Sequence, residues 1–252
     1  MTGYAAVVLA GGAARRMGGV DKPARPVGGR PMLHRVLAAV ADADQRIVVG
    51  PSVPLPDGVR TTREKPPGGG PVAAIVAGLA LLDPATTTVA LLAADLPLLT
   101  AAAVTELRRA LDTPAAEREH DPAAERERDR AAEREHDRAA EQEHDRAADR
   151  EHDPAAERAS ALPRRGSTAA LACYVDGDGR RQQLCAVWRL PALRTALDRL
   201  AATRGGTLDG APVRGLLTGV AVCEVSWSGS GPPPWFDCDT DEDVRRAEEW
   251  SR

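Results

Sequence analysis

Aromatic residues are scarce in this chain: one Phe, two Tyr and four Trp among 252 residues. A core of ordinary size must then be filled largely by Ala, Val and Leu, and the four tryptophans read as packing residues rather than base-stacking platforms. Cysteine is also sparse. Cys173, Cys185, Cys223 and Cys238 show no C-x-x-C spacing, which argues against a zinc or redox centre and predicts buried free thiols in a reducing cytoplasm. No apolar run approaches the roughly 18 residues that span a membrane. Ala5 to Leu9 is too short for a secretory signal core and has no basic segment ahead of it, so a cytoplasmic protein is expected. Two common phosphate-binding patterns are missing as well: G-x-G-x-x-G, and the Gly-Lys-Ser/Thr ending of a Walker loop.

What is abundant is charge, and much of it is concentrated in one place. Residues 114–158 repeat an eight-residue unit (PAAEREHD, PAAERERD, RAAEREHD and further copies) that carries 16 acids against 9 arginines. The whole-chain charge of −4 therefore leaves +3 on the other 207 residues. A mildly basic remainder suits an anionic small ligand and does not suggest a nucleic-acid surface. Ala, Glu and Arg favour helix, but a period of eight winds the alanine pairs around a helix axis, so no apolar stripe forms. The repeat reads as a solvated insertion, helical or disordered, within one domain made of residues 1–113 and 159–252. Its His120, His136, His144 and His152 follow from repeat expansion, and a metal site there is not expected.

Outside the insertion the pattern alternates. Strands are expected over Ala5–Leu9, Gln45–Gly50, Thr88–Ala94, Ala169–Val175, Leu184–Trp188 and Val220–Val225. Helices are expected over Pro31–Ala41, Val72–Leu82, Ala101–Leu111, Ala192–Ala202 and Asp241–Trp250. Such alternation predicts an α/β fold with a mostly parallel sheet, whose ligands sit beyond the carboxyl ends of the strands. Gly11 and Asp95 both fall at such ends.

The most informative segment is Leu9–Lys22, LAGGAARRMGGVDK. A buried strand running into a glycine-rich turn lets backbone N–H groups from Ala10 to Gly12 face anionic oxygens at close range. Arg15, Arg16 and Lys22 add the positive charge that phosphates require. Asp95 closes the most hydrophobic strand and is followed by Leu96-Pro97, so its carboxylate is placed to meet a hard divalent cation. In FDCDTDED, Phe236 to Asp243, Asp237 and Asp239 lie two apart and share a face if the backbone is extended. Thr240 and Asp243 fit a capping box for the last helix.

Leu9–Lys22 resembles the L-A-G-G-x-x-x-R-M-G-x-D-K pattern of nucleotidyltransferases related to molybdenum cofactor guanylyltransferase, with one extra glycine at Gly18-Gly19. Asp95 resembles that family's D-x-P metal ligand. Phe236–Asp243 resembles its N-x-N-T-P-E-D or D-x-D-T-P-E-D segment, here in the acidic form and with Asp241 in place of the proline. Gln182-Gln183-Leu184 resembles its Q-P-L on the strand expected to face the acceptor. The resemblance implies a Rossmann-like nucleotidyltransferase that moves GMP from GTP to a phosphorylated acceptor such as molybdenum-loaded molybdopterin, releasing pyrophosphate. By the same resemblance Lys22 and Arg16 would be catalytic. Leu9, Ala10, Gly11, Gly12, Lys22, Glu64 and Asp95 would bind nucleotide, with Glu64 near the base. Asp95 and Asp239 would hold Mg²⁺. Molybdenum enzymes or their chaperones are further implied partners. The acidic D-x-D form leaves open a cytidylyltransferase using CTP, or a guanylyltransferase for another small phosphorylated acid. A non-catalytic cofactor carrier is the rival from another class. Loss of Lys22 or Asp95 would favour it, and both are present.

Overall fold

The first strand, β1 (Ala5–Leu9), is apolar along its whole length, and every one of its residues is buried. Side chains alternate between the faces of a strand, so a sequence without polar residues at any position belongs where both faces are covered. The computed structural model, which describes residues 3–11, 22–51, 54–114 and 168–251, places β1 in that situation. Ala6 and Val8 point into one hydrophobic cluster, while Ala5, Val7 and Leu9 point into another on the opposite face.

Nine strands are present among the described residues. β2 (Pro26–Val27) and β3 (Arg30–Pro31) form a small antiparallel hairpin. The main sheet has the order β5-β4-β1-β6-β8-β7-β9, built from β4 (Gln45–Val49), β5 (Val59–Thr62), β6 (Thr88–Ala93), β7 (Leu171–Val175), β8 (Arg181–Arg189) and β9 (Val222–Val225). β5, β4, β1 and β6 run parallel, as does β9 beside β7. β8 runs antiparallel to both of its neighbours, which makes the sheet mostly rather than wholly parallel.

Helices α1 (Met32–Ala39) and α3 (Ala101–Asp112) cover one face, contributing Leu33, Val36, Leu37, Val104, Leu107 and Leu111 to its cluster. Helices α2 (Gly70–Leu79) and α4 (Leu190–Thr203) cover the other through Val72, Ile75, Leu79, Leu193, Leu197 and Leu200. α2 lies so close to the sheet that a Cβ at Gly78 would come within 2.5 Å of Val7 Cγ1. Helix α5 (Asp241–Trp250) packs with the β2–β3 hairpin around Val27, Met32, Leu98, Cys238, Val244 and Ala247, a third and smaller cluster.

The aromatic residues serve packing. Trp188 is fully buried, Tyr174 lies between Trp227 and Trp235, and Trp250 meets Phe236 edge-on at the surface. All four cysteines are buried free thiols, and burial pushes those of Cys173 and Cys238 up to about 12. No helix among the described residues is long and apolar enough to cross a membrane.

Two expectations need correction. The edge strand β5 was not anticipated, because its residues VRTT are half-exposed and carry no apolar run. β8 starts at Arg181 rather than Leu184, since its polar first residues are held by backbone pairing to β7 rather than by burial. The chain divides into one unit comprising Met1–Asp112 and Ala169–Arg252, and a second comprising Thr113–Thr168. The repeat, with every expectation made for it, lies outside the described residues.

Candidate active site

Chain direction in the sheet brings the ends of β1 and β6 together. The Ala94 N–H donates to the Leu9 carbonyl at 3.0 Å, so the turn after β1 and the carboxylate of Asp95 leave the sheet side by side. On the other side of β1, the Ala10 N–H donates to the Val49 carbonyl at 2.8 Å. That amide was expected to face phosphate, but it is spent on β4. The tight contact requires glycine at position 50, where a Cβ would lie 2.9 Å from the Ala10 carbonyl carbon. Gly11 is different. It is exposed, and a Cβ there would meet only Gly50 and Val49 at 3.8 and 4.0 Å, so internal packing does not demand glycine. Gly12, Arg15 and Arg16 lie outside the described residues.

Lys22 opens a short 3₁₀ turn, Lys22–Ala24, and is 7% exposed. Its Nζ donates to Asp95 Oδ2 at 2.5 Å and to Asp239 Oδ1 at 2.6 Å. Burial alone would push the ammonium's pKa down, but the hydrogen bonds to Asp239 and Asp95 outweigh it and hold the pKa above its ordinary value. Three residues expected to carry chemistry are thus gathered around one cation. The sequence alone implies phosphate for Lys22 and metal for the two aspartates within one site, and says nothing of a direct bond between them. In the fold the lysine ammonium hydrogen-bonds both carboxylates directly.

Asp95 is further anchored by its backbone, since the Cys238 N–H donates to the Asp95 carbonyl at 3.2 Å. This bond stitches the end of β6 to the segment bearing Asp239. Asp239 is largely exposed, and so is Asp237. Desolvation, followed by the nearby carboxylates of Asp239 and Asp95, holds Asp237 above the usual carboxylate range. Thr240 and Asp243 make the expected capping box at the start of α5.

The donor set fits a hard divalent cation. Two carboxylates already converge on one positive charge, and Mg²⁺ commonly takes one or two carboxylates, filling its shell with phosphate oxygens and waters. No group of three or more His, Cys, Asp or Glu arranged to hold a metal occurs among the described residues. Among the described residues, Asp95 and Asp239 are the carboxylates that converge on one point and could hold such an ion.

Glu64 lies beyond β5, at the opening of the Lys65–Pro71 loop, and is 8% exposed. Its Oε1 accepts the Gly68 N–H at 2.9 Å, while Oε2 is buried without a partner among the described residues. A buried acceptor without a donor is costly, which singles this oxygen out as one with unused hydrogen-bonding capacity. Gln182 is committed elsewhere: its Nε2 donates to Asp176 Oδ2 at 3.1 Å and to the Arg180 carbonyl at 3.3 Å, bracing the β7–β8 turn. The same strand does reach the site, because Cys185 pairs with Leu92 and the first residues of β8 therefore run alongside the end of β6.

Sequence reasoning missed Arg25, which forms an ion pair with Asp241. The signal was available in the departure of Asp241 from the family's usual proline: an aspartate at that position gives Arg25 a partner.

Known proteins resemble this chain in sequence and in fold. A stretch of 48 residues, 19% of the chain, is 52% identical to 23% of the probable molybdenum cofactor guanylyltransferase of Haloferax mediterranei. Over 106 residues, 39% of the chain, it is 38% identical to half of the molybdenum cofactor guanylyltransferase of Bradyrhizobium sp. strain ORS 278. The chain thus spans at most half the length of these curated relatives. Molybdopterin-guanine dinucleotide biosynthesis protein A from Archaeoglobus fulgidus superposes with a TM-score of 0.58 at 15% identity, covering 97% of each chain, and so shares the fold. Residues 6–211 match the MobA-like NTP transferase domain, a span running from the first residues of β1 past Lys22 and Asp95 to the end of the loop after α4. The protein belongs to the MobA-like NTP transferase domain family.

Proposed function

We propose that this protein transfers GMP from GTP to a phosphorylated acceptor of the molybdopterin type, in its molybdenum-loaded form, with release of pyrophosphate. The observation that carries the reading is the convergence of Lys22, Asp95 and Asp239 at the carboxyl ends of β1 and β6. An acceptor phosphate oxygen attacks the α-phosphorus of the nucleotide in line, forming one P–O bond while the bond to pyrophosphate breaks. Asp95 and Asp239 would hold Mg²⁺, which when bound offsets the charge of the phosphates. Lys22, Arg16 and the Gly11 and Gly12 amides bind the phosphates and stabilise charge on the leaving group. Chemistry of this type rests on positioning and electrostatics, so no covalent nucleophile is required.

Glu64 favours guanine. Its unpartnered Oε2 accepts only, and the Watson–Crick edge of guanine offers adjacent N1–H and N2–H₂ donors, whereas cytosine offers a single amino group. Residues 1–113 and 159–252 form the catalytic domain in this proposal, with 114–158 as an insertion. The decisive experiment supplies each NTP in turn with Mg²⁺ and molybdopterin and measures pyrophosphate. GTP-dependent release that requires the acceptor is expected. Release with CTP would reassign the base, and no release with any NTP would overturn the reading.

A further inference from the structure

Arg35 sits on α1, whose Leu33, Val36 and Leu37 are buried in the larger cluster on that face of the sheet. Its guanidinium makes three hydrogen bonds, each to a different segment. Nε donates to the Pro97 carbonyl at 2.7 Å, Nη1 to the Val27 carbonyl at 3.3 Å, and Nη2 to Ser251 Oγ at 3.1 Å. Ser251 Oγ in turn donates to the Ala247 carbonyl at 2.7 Å, fixing the hydroxyl on the last turn of α5. None of the three acceptors is a carboxylate, and Arg35 makes no ion pair among the described residues. A planar fork with five N–H donors can hold several acceptors at fixed angles at once, which lysine cannot do.

The three segments are those that carry the site. Pro97 lies two residues beyond Asp95. Val27 is in β2, which directly follows the turn opened by Lys22. Ser251 closes α5, whose first residue lies two beyond Asp239. We propose that Arg35 is a positioning residue that fastens these segments to one rigid helix and so sets the Lys22–Asp95–Asp239 constellation. The third hydrophobic cluster supports the same assignment independently, because Val27, Leu98, Cys238 and Val244 bring those segments together around Met32 of α1. Gly28 completes the fit: it has φ +57°, and a Cβ there would lie 3.4 Å from Arg35 Nη1. The consequence for catalysis rests on the nucleotidyl-transfer reading above. The structural claim does not.

The chain contains only two lysines, Lys22 and Lys65, so lysine labelled with ¹⁵N at Nζ gives two ammonium signals, and Lys65→Arg assigns them. In the full-length wild type, Lys22 should show a shifted signal with slowed proton exchange, unlike that of Lys65. Arg35→Met keeps the aliphatic stem and removes all three donors. Its Lys22 signal should collapse towards that of Lys65, and turnover should fall about tenfold or more with the nucleotide KM little changed, as a displaced constellation predicts. Val36→Ala, a core truncation on the same helix, serves as the control for lost stability and should keep the Lys22 signal. If Arg35→Met does not fold, Ser251→Ala removes one tie and should still speed the Lys22 exchange. An unchanged Lys22 signal in the folded Arg35 or Ser251 variant, an equal loss in Val36→Ala, or a wild-type Lys22 that exchanges like Lys65 would each overturn the proposal. A wild type with a protected Lys22 that transfers no nucleotide would instead overturn the function and leave Arg35's role standing.

Discussion

Lys22 Nζ lies 2.5 Å from Asp95 Oδ2, although 73 residues separate them in the chain. The contact joins the end of the glycine-rich segment to the end of β6, and Asp239 completes it from a further 144 residues away. A cation between two carboxylates offsets the repulsion of like charges held close together. In the proposed reaction, Lys22 and a divalent ion would compete for the same two carboxylates.

Lys22→Ala should abolish transfer while leaving the fold intact. A charge-assisted contact to a developing phosphate charge is worth about 3–4 kcal/mol, a loss of a few hundredfold in rate. Because the ammonium no longer competes for Asp95 and Asp239, the variant should also gain more thermal stability from added Mg²⁺ than the wild type does. Steady-state kinetics and melting curves with and without Mg²⁺ check both outcomes, and wild-type turnover would refute the phosphate role.

Asp95→Asn should reduce rate and metal dependence far more than Asp237→Asn. Asp95 follows a buried strand, is hydrogen-bonded through its own carbonyl and contacts Lys22, whereas Asp237 is exposed and makes no hydrogen bond to the lysine. Titrating activity against Mg²⁺ or Mn²⁺ in the two variants separates them. Equal losses would show that the carboxylates have been assigned in the wrong register.

Glu64→Gln should raise the KM for GTP with a smaller effect on kcat. Its amide presents one oxygen and two donors where the buried carboxylate presents acceptors alone. Loss of a charged hydrogen bond to the base costs about 2 kcal/mol, roughly thirtyfold in affinity. A GTP KM unchanged in the variant would remove Glu64 from the base site.

Thr240→Ala should destabilise the fold by about 1 kcal/mol, the ordinary cost of losing a threonine N-cap. It should also flatten the acid limb of stability. Asp243 is held below its usual pKa first by the hydrogen bond from the Thr240 hydroxyl. A carboxyl that is more acidic folded than unfolded stabilises the protein above about pH 4, and that contribution is lost as pH falls through the folded value. Denaturant midpoints measured between neutral and acid pH in both proteins would reveal the difference. Parallel pH profiles would contradict it.

Deleting Pro114 to Arg158 should leave turnover within a few-fold of the full chain, because closing a surface loop of different length changes stability by only about 0.6 kcal/mol per doubling. Collapse of turnover would place the repeat inside the catalytic domain. Collapse only of cofactor delivery to an apo-enzyme would make it a docking arm.

By itself the sequence determined whatever depends on near neighbours. β1 and β6 were legible because a continuous apolar run has few places to go other than a doubly covered strand. The capping box at Thr240 and Asp243 was legible because its partners are three residues apart. The family was legible in Leu9–Lys22, where glycine and charge stand at fixed spacing. The tertiary structure decided what depends on pairing across the chain. The antiparallel course of β8 follows from its registers with β6 and β7, which no local pattern encodes. β5 is a strand because β4 offers it an edge, not because its residues are apolar. The Ala10 amide is lost to Val49, Lys22 is drawn between Asp95 and Asp239, and Arg35 ties their three segments together. Each of these is a contact between distant residues, and hydrogen bonds and ion pairs of that kind exist only once the hydrophobic clusters have brought the chain ends of the strands together.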